Sequence, residues 1–120
     1  MRILILDDDV ELAATLQDVL MLDGHDVSTV TSIAEARDTL ADADPFDVAV
    51  FDLNLQNDNA IGLLREVKRD GTANRVLIMT GGGKVEADVG LPLATAHGAD
   101  AVLFKPFSND EFVSAVTGAS

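Results

Sequence analysis

Asp52 closes the apolar run Val48-Ala49-Val50-Phe51. A carboxylate that interrupts such a run stands at the carboxyl end of a strand covered on both faces, which is where open parallel α/β sheets bind their ligands. Three more runs end in residues able to do chemistry. Ile3 to Leu6 meets Asp7, Asp8 and Asp9, Val76 to Met79 meets Thr80 and Gly81, and Ala101 to Phe104 meets Lys105. If these runs lie side by side, three carboxylates, a hydroxyl and an amine share one edge.

Carboxylates brought together repel one another, which raises some of their pKa values and destabilises the fold unless a cation intervenes. An all-oxygen ligand set with no His or Cys favours Mg²⁺, which takes one or two carboxylates directly and keeps waters or substrate oxygens in its other positions. Lys105 supplies a mobile positive charge, Thr80 a hydroxyl donor, and Gly81 an amide that no side chain shields. A nucleophile, charge neutralisation and positioned donors are what phosphoryl transfer requires. Asp52 is the expected nucleophile because a carboxylate needs no general base.

Positioning these residues takes a particular scaffold. Leu12, Leu16, Val19, Leu20 and Leu22 recur at helical spacing after Asp9, and Gly24 supplies a stop. Val27 to Val30 holds Ser28 and Thr29, as suits an edge strand. Ser32 and Glu35 form a capping-box pair, Ile61, Leu64 and Val67 restart a helical period, and Ser108 and Glu111 form a second box before Phe112, Val113 and Val116. The stretch from Leu53 to Asn59 reads as a polar, flexible loop. Gly90 and Pro92 are expected to interrupt any helix between Gly81 and Gly98. Five strands alternating with helices give βα units, and right-handed crossovers put every strand-to-helix loop on one edge.

The chain of 120 residues has room for one core and carries a formal net charge of -13. That charge repels phosphate backbones and anionic membranes, so neither nucleic acid nor membrane is an expected partner. No cysteine is present, which removes disulfides and thiolate chemistry and agrees with a reducing cytoplasm. No signal-peptide core or membrane span is legible.

The stretches Ile-Leu-Asp7-Asp8, Val-Phe-Asp52-Leu-Asn54, Ile-Met-Thr80-Gly81 and Gly98-Ala-Asp-Ala-Val-Leu-Phe-Lys105-Pro106-Phe107 stand in an order and spacing that resembles the receiver domains of two-component response regulators. The resemblance implies a flavodoxin-like, doubly wound five-stranded parallel sheet of order 2-1-3-4-5 with helices on both faces. It implies that Asp52 accepts a phosphoryl group from a histidine kinase or phosphotransferase. Asp8 and Asp52 would ligate Mg²⁺ directly, Asp7 through water and Asn54 through its backbone carbonyl. Thr80, Gly81, Lys105 and Leu53 would contact the phosphoryl group, and Lys105-Pro106 would be a cis peptide. Residues 1–120 then read as one stand-alone receiver with no output domain, which signals through protein contacts and is not an enzyme beyond its own phosphorylation and dephosphorylation.

Three positions depart from the family pattern: Gln56 replaces a usual proline, Ala60 a usual glycine, and Val102 a usual aromatic. With valine there, an inward-swinging ring cannot report the state of Thr80, so the switch is expected to act through the ordering of the Gly81–His97 segment. Two other functions compete. A receiver-like interaction module that no longer takes phosphate is motivated by those departures, and a Mg²⁺-dependent aspartyl phosphatase by the acid cluster. Against the phosphatase, the first-strand acids are adjacent rather than alternating and no cap is inserted. Asp9 reads as a first-turn residue favoured by the helix dipole, and His25 and His97 as structural. Gly81-Gly82-Gly83-Lys84 lacks the first glycine and the final Ser or Thr of a P-loop, and the stretch from Asp52 lacks the glycine and terminal glutamate of an EF-hand loop.

Overall fold

The computed structural model describes residues 1–41, 44–55, 58–81 and 98–118. Its elements in chain order are β1 (Arg2–Leu6), α1 (Val10–Leu22), β2 (Asp26–Val30), α2 (Ile33–Leu40), β3 (Phe46–Asp52), β4 (Asn54–Leu55), β5 (Asp58–Asn59), α3 (Ile61–Asp70), β6 (Ala73–Thr80), β7 (Ala101–Phe104) and α4 (Asn109–Thr117). Five strands form one parallel sheet of order β2-β1-β3-β6-β7, the expected 2-1-3-4-5 arrangement.

Pleating sends successive strand residues to opposite faces, and both faces are covered. Leu4, Leu6, Phe51 and Ile78 pack with Leu40, Leu64 and Val67 of α2 and α3, whereas Ile3, Ile5, Val50 and Leu77 pack with Leu16, Leu20 and Phe112 of α1 and α4. This explains why the strands read as unbroken apolar runs. Val102 is partly buried against the first cluster, so a branched aliphatic fills the position where the resemblance leads to the expectation of an aromatic.

Local chemistry sets the helix ends. Asp9 is the N-cap of α1, not a first-turn residue: its side chain accepts the Leu12 N–H at 3.1 Å. At the other end Gly24, with φ +87°, donates its N–H to Met21 O while the His25 N–H reaches Leu20 O, a left-handed turn that ends the helix. Leu22 lies beyond the buried stripe and is 90% exposed, so it does not share the core role its spacing suggested. Ser108 and Glu111 complete a reciprocal capping box on α4. At α2 only half forms: Ser32 accepts the Glu35 N–H, but the Glu35 carboxylate takes the Ser32 and Thr31 hydroxyls. His25 bridges the Met1 amine and Asp23, a structural contact, and Phe107 stacks on Phe112 at 5.6 Å as part of the core under α4.

The stretch after Asp52 is not an open loop. Asn54 pairs with Asn59 and Leu55 with Asp58 in a two-rung antiparallel hairpin, and Leu55 is buried. Ala60, where the resemblance suggests a glycine, is fully buried with φ -87°, a backbone any residue adopts, so this departure requires no strained conformation. Gln56, His97 and the Gly90 and Pro92 interruption lie outside the described residues.

Asp100 fixes the entry of β7 and hence the level at which Lys105 emerges. Its N–H donates to Val76 O, and its Oδ2 accepts the Val76 N–H and the Lys68 ammonium, each at 2.8 Å. Burial pushes the Asp100 carboxyl up, but the bonds from Lys68 and Val76 and the charges of Lys68 and Arg75 outweigh it and hold the group below its ordinary value. A carboxyl lowered on folding stabilises above its unfolded pKa, about 3.9, and that contribution is lost as pH falls through the folded value. Asp100→Ala is therefore expected to cost about 1–2 kcal/mol at neutral pH, and its deficit to narrow as the pH drops toward 3. Urea midpoints at both pH values test this; an undiminished deficit at pH 3 refutes it.

Candidate functional site

Strand register brings the chemistry together. Leu6 pairs with Phe51, Asp52 with Met79 and Thr80 with Phe104, so the residues at and just beyond these rungs arrive at one edge. Asp7, Asp8 and Asp52 each offer a carboxylate oxygen, all within 4.8 Å of one another. Asp7 and Asp52 are buried while Asp8 is exposed, because adjacent residues at a strand end face opposite ways. Lys105 Nζ donates to Asp7 Oδ2 at 3.3 Å and to Asp52 Oδ2 at 3.2 Å. The other oxygen of Asp7 accepts the Asp9 N–H at 2.9 Å, so Asp7 is held on both sides.

Burial favours the neutral amine at Lys105, but attraction by Asp52 and Asp7, with their hydrogen bonds, overrides it and keeps the ammonium above its ordinary pKa. Among the described residues the Lys105 ammonium thus bridges two of the three carboxylates. The excess negative charge and the all-oxygen donor set suit a hard divalent ion. The three carboxylate oxygens lie close enough together that such an ion could be held by one or two of the acids directly and by the rest through water.

Thr80 is fully buried at the end of β6, and its carbonyl accepts the Lys105 N–H at 2.7 Å, which ties the two residues together. Gly81 follows, exposed, beside Lys105, Pro106, Phe107 and Leu12 in a hollow next to the acids. Lys105-Pro106 is cis. Asn54 opens the small hairpin two residues past Asp52. Leu53 is placed differently from its expected phosphoryl-contact role: its N–H donates to Met79 O at 2.8 Å and its carbonyl accepts the Ala60 N–H, so both polar groups are committed to holding the loop. The capping role of Asp9 was missed, although an aspartate directly before the first periodic residue, Val10, is the usual signal for it.

The family model for the response regulator receiver domain matches residues 3–117. The chain belongs to that family. Receivers are signalling domains of two-component systems, not classical enzymes, and they interact with histidine kinases or phosphotransferases. This receiver is 34% identical over 116 residues to the response regulator protein PmrA of Pseudomonas aeruginosa, covering 97% of this chain and 51% of the relative. It thus spans about half the length of the curated relatives it matches first. Among solved structures it is similar to a receiver domain protein from Clostridium thermocellum, at a TM-score of 0.85 and 29% identity over 98% of this chain and 91% of that one. It is also similar to a response regulator from Burkholderia pseudomallei described as holding a phosphorylated aspartic acid, a calcium ion and citrate. That match has a TM-score of 0.80 and 29% identity, over 95% of this receiver and 65% of that chain. Among the described residues no helix is long and apolar enough to cross a membrane.

Proposed function

We propose that Asp52 of this receiver accepts a phosphoryl group from a phosphohistidine of a histidine kinase or phosphotransferase. The observation that carries the proposal is the pairing of a nearly buried carboxylate at the tip of the central strand with a lysine it shares with Asp7, at 3.2 and 3.3 Å, beside the exposed Asp8. The phosphorylated aspartic acid and divalent ion of the Burkholderia relative support it.

A carboxylate oxygen of Asp52 attacks phosphorus, the phosphorus–nitrogen bond to the donor imidazole breaks, and the imidazole leaves with the electron pair. The transferring group carries charge on its peripheral oxygens. Lys105, already poised between two carboxylates, exchanges one of them for a phosphoryl oxygen. The Thr80 hydroxyl and the Gly81 N–H serve as further donors, as the glycine leaves that amide unshielded. Asp8, Asp52 and the Asn54 carbonyl would hold Mg²⁺, with Asp7 bound through water. When bound, the ion neutralises the clustered acids and the phosphoryl oxygens. Leu53 is left out of the phosphoryl-binding set for the reason given above.

Incubation with acetyl phosphate and Mg²⁺ tests this. Intact-mass spectrometry is expected to show a single phosphoryl addition, mapped to Asp52, that is absent when EDTA removes the metal. No addition from acetyl phosphate or from a phosphorylated histidine partner would leave a receiver-like interaction module. Sustained release of phosphate from esters would point instead to the phosphatase.

A further inference from the structure

The two helix layers differ in charge. α1 and α4 carry Glu11, Asp18, Asp110 and Glu111 and no lysine or arginine. α2 and α3 carry Arg37, Arg65, Lys68 and Arg69 against Glu35, Asp38, Glu66 and Asp70, so half of the chain's eight basic residues lie on one near-neutral layer of a strongly acidic molecule. The other described bases are engaged elsewhere. Arg2 lies over the Phe46 ring, Arg75 donates to the Ala115 and Val116 carbonyls, and Lys105 sits among the site acids.

Between α2 and α3 is a hollow of about 180 Å³ floored by Leu40, Leu63 and Val67 and rimmed by Arg37, Glu66, Arg69 and Asp70. Arg37 gives its Nε–H to Glu66, and Arg69 gives Nε–H and one terminal N–H to Asp70. These are exposed ion pairs, weak in water, and each guanidinium fork keeps donors for another carboxylate. On the opposite layer, Leu22 projects from the last turn of α1 with 90% of its surface exposed, next to Met21 at 55%. Asp18 stands one helical turn before it and Asp23 directly after it.

We propose that a second copy of this chain docks head-to-tail, with Leu22 of one copy seated in the α2–α3 hollow of the next and its flanking Asp18 facing Arg37 and Arg69. The apolar side chain fits an apolar floor of sufficient volume, and the acid beside it can take the guanidinium donors that Glu66 and Asp70, on the same rim, leave over. Knob and hollow lie on opposite faces of the sheet, so the contact is heterologous: each pair leaves one knob and one hollow open. The net charge limits growth, but at an ionic strength of about 0.15 M repulsion is screened beyond roughly 8 Å, while the short-range contact persists. α1, α2 and α3 all run away from the site edge, so knob and hollow sit at the far end and docking leaves Asp52 open. The inference therefore stands apart from the phosphoryl reading.

Sedimentation equilibrium on the unphosphorylated chain, from about 10 μM to about 1 mM, measures it. The weight-average mass is expected to rise above 12.6 kDa with concentration. Leu22→Asp, and separately the double change Arg37→Glu with Arg69→Glu, are each expected to weaken association at least tenfold with the far-UV circular dichroism unchanged. An equimolar mixture of the two variants still joins an intact knob to an intact hollow, and is expected to give a one-to-one complex of twice 12.6 kDa that grows no further. A parent chain that stays monomeric throughout, association that survives in either variant alone, or a mixture that fails to pair would each overturn the proposal.

Discussion

Asp52→Asn is expected to take up no phosphoryl group from acetyl phosphate and Mg²⁺ under conditions where the parent receiver gains one, and to melt higher than the parent in EDTA. The first effect follows from nucleophilicity. An amide oxygen shares its lone pairs with the nitrogen and carries no charge, so the acceptor is removed while Thr80, Lys105 and the other acids remain. The second follows from the electrostatics of the edge. Two unit charges 4.8 Å apart repel by about 3.5 kcal/mol at an effective dielectric constant near 20, and the three carboxylates are all this close while, among the described residues, the Lys105 ammonium bridges two of them. Neutralising Asp52 leaves Lys105 its bond to Asp7 and removes two of the three repulsions. The lost attraction between Lys105 and Asp52, 3.2 Å apart, offsets most of this gain, and solvent around Asp8 reduces the rest to roughly 1 kcal/mol, a rise of about 4 °C in a chain of this size. Added Mg²⁺ is expected to shrink the difference, because the parent acids bind the ion and the variant loses a ligand. Intact mass and thermal melts with and without Mg²⁺ check both effects. A phosphoryl addition that survives in the Asp52→Asn chain would move the acceptor elsewhere, and a variant less stable than the parent in EDTA would mean that the acids do not repel as their spacing requires.

How the receiver's site could be read from its sequence, and how far, follows from the geometry of parallel sheets. Each strand is buried on both faces, so each is an unbroken apolar run, and the residue that breaks the run marks the edge. That rule locates Asp7, Asp52, Thr80 and Lys105 from the sequence alone, and the right-handed crossover places them together. It does not show that Asp7 is sealed and Asp8 exposed, nor that Lys105 is shared by two carboxylates, because these depend on side-chain direction across three strands. The same limit explains Leu53. Its neighbour is the candidate acceptor, which suggested a phosphoryl contact, yet its N–H is spent on Met79 O to join β3 to β6. Periodicity also misled at Leu22, which follows Val19 at helical spacing but lies two residues beyond Leu20, the last residue of α1 that is buried. The hairpin after Asp52 was hidden because two rungs are too short to show alternation; the buried Leu55 is its one apolar mark. β6 begins at Ala73, three residues before its apolar run, since Asn74 and Arg75 occupy the strand's less covered entry.

Lys105→Met is expected to destabilise the metal-free receiver by roughly 2–4 kcal/mol and to be substantially rescued by Mg²⁺. Methionine retains the length and apolar stem of the lysine and removes only the ammonium. The buried carboxylates of Asp7 and Asp52 then lose the ammonium that bridges them, and breaking one partner out of a buried ion pair costs about 3–5 kcal/mol when the remaining charge is left uncompensated. The lower range applies because the lysine side chain is 24% exposed, so solvent already moderates the interaction. The sign with pH follows from Lys105 itself. Its ammonium is held above its ordinary pKa on folding, so its contribution is fully present below the unfolded value near 10.4 and disappears only as pH rises through the folded value. Across pH 6–9 the deficit of the variant should therefore stay nearly constant. Mg²⁺ replaces the missing charge, so the midpoint in urea should climb with metal concentration more steeply in the variant than in the parent. Because phosphoryl uptake also relies on this ammonium, the metal-rescued fold is expected to accept phosphate from acetyl phosphate at least tenfold more slowly, a loss of about 1.4 kcal/mol or more of transition-state stabilisation. A variant as stable as the parent without metal would show that Asp7 and Asp52 do not depend on Lys105 for their charge balance. Unchanged uptake in the rescued protein would remove Lys105 from the phosphoryl-binding set.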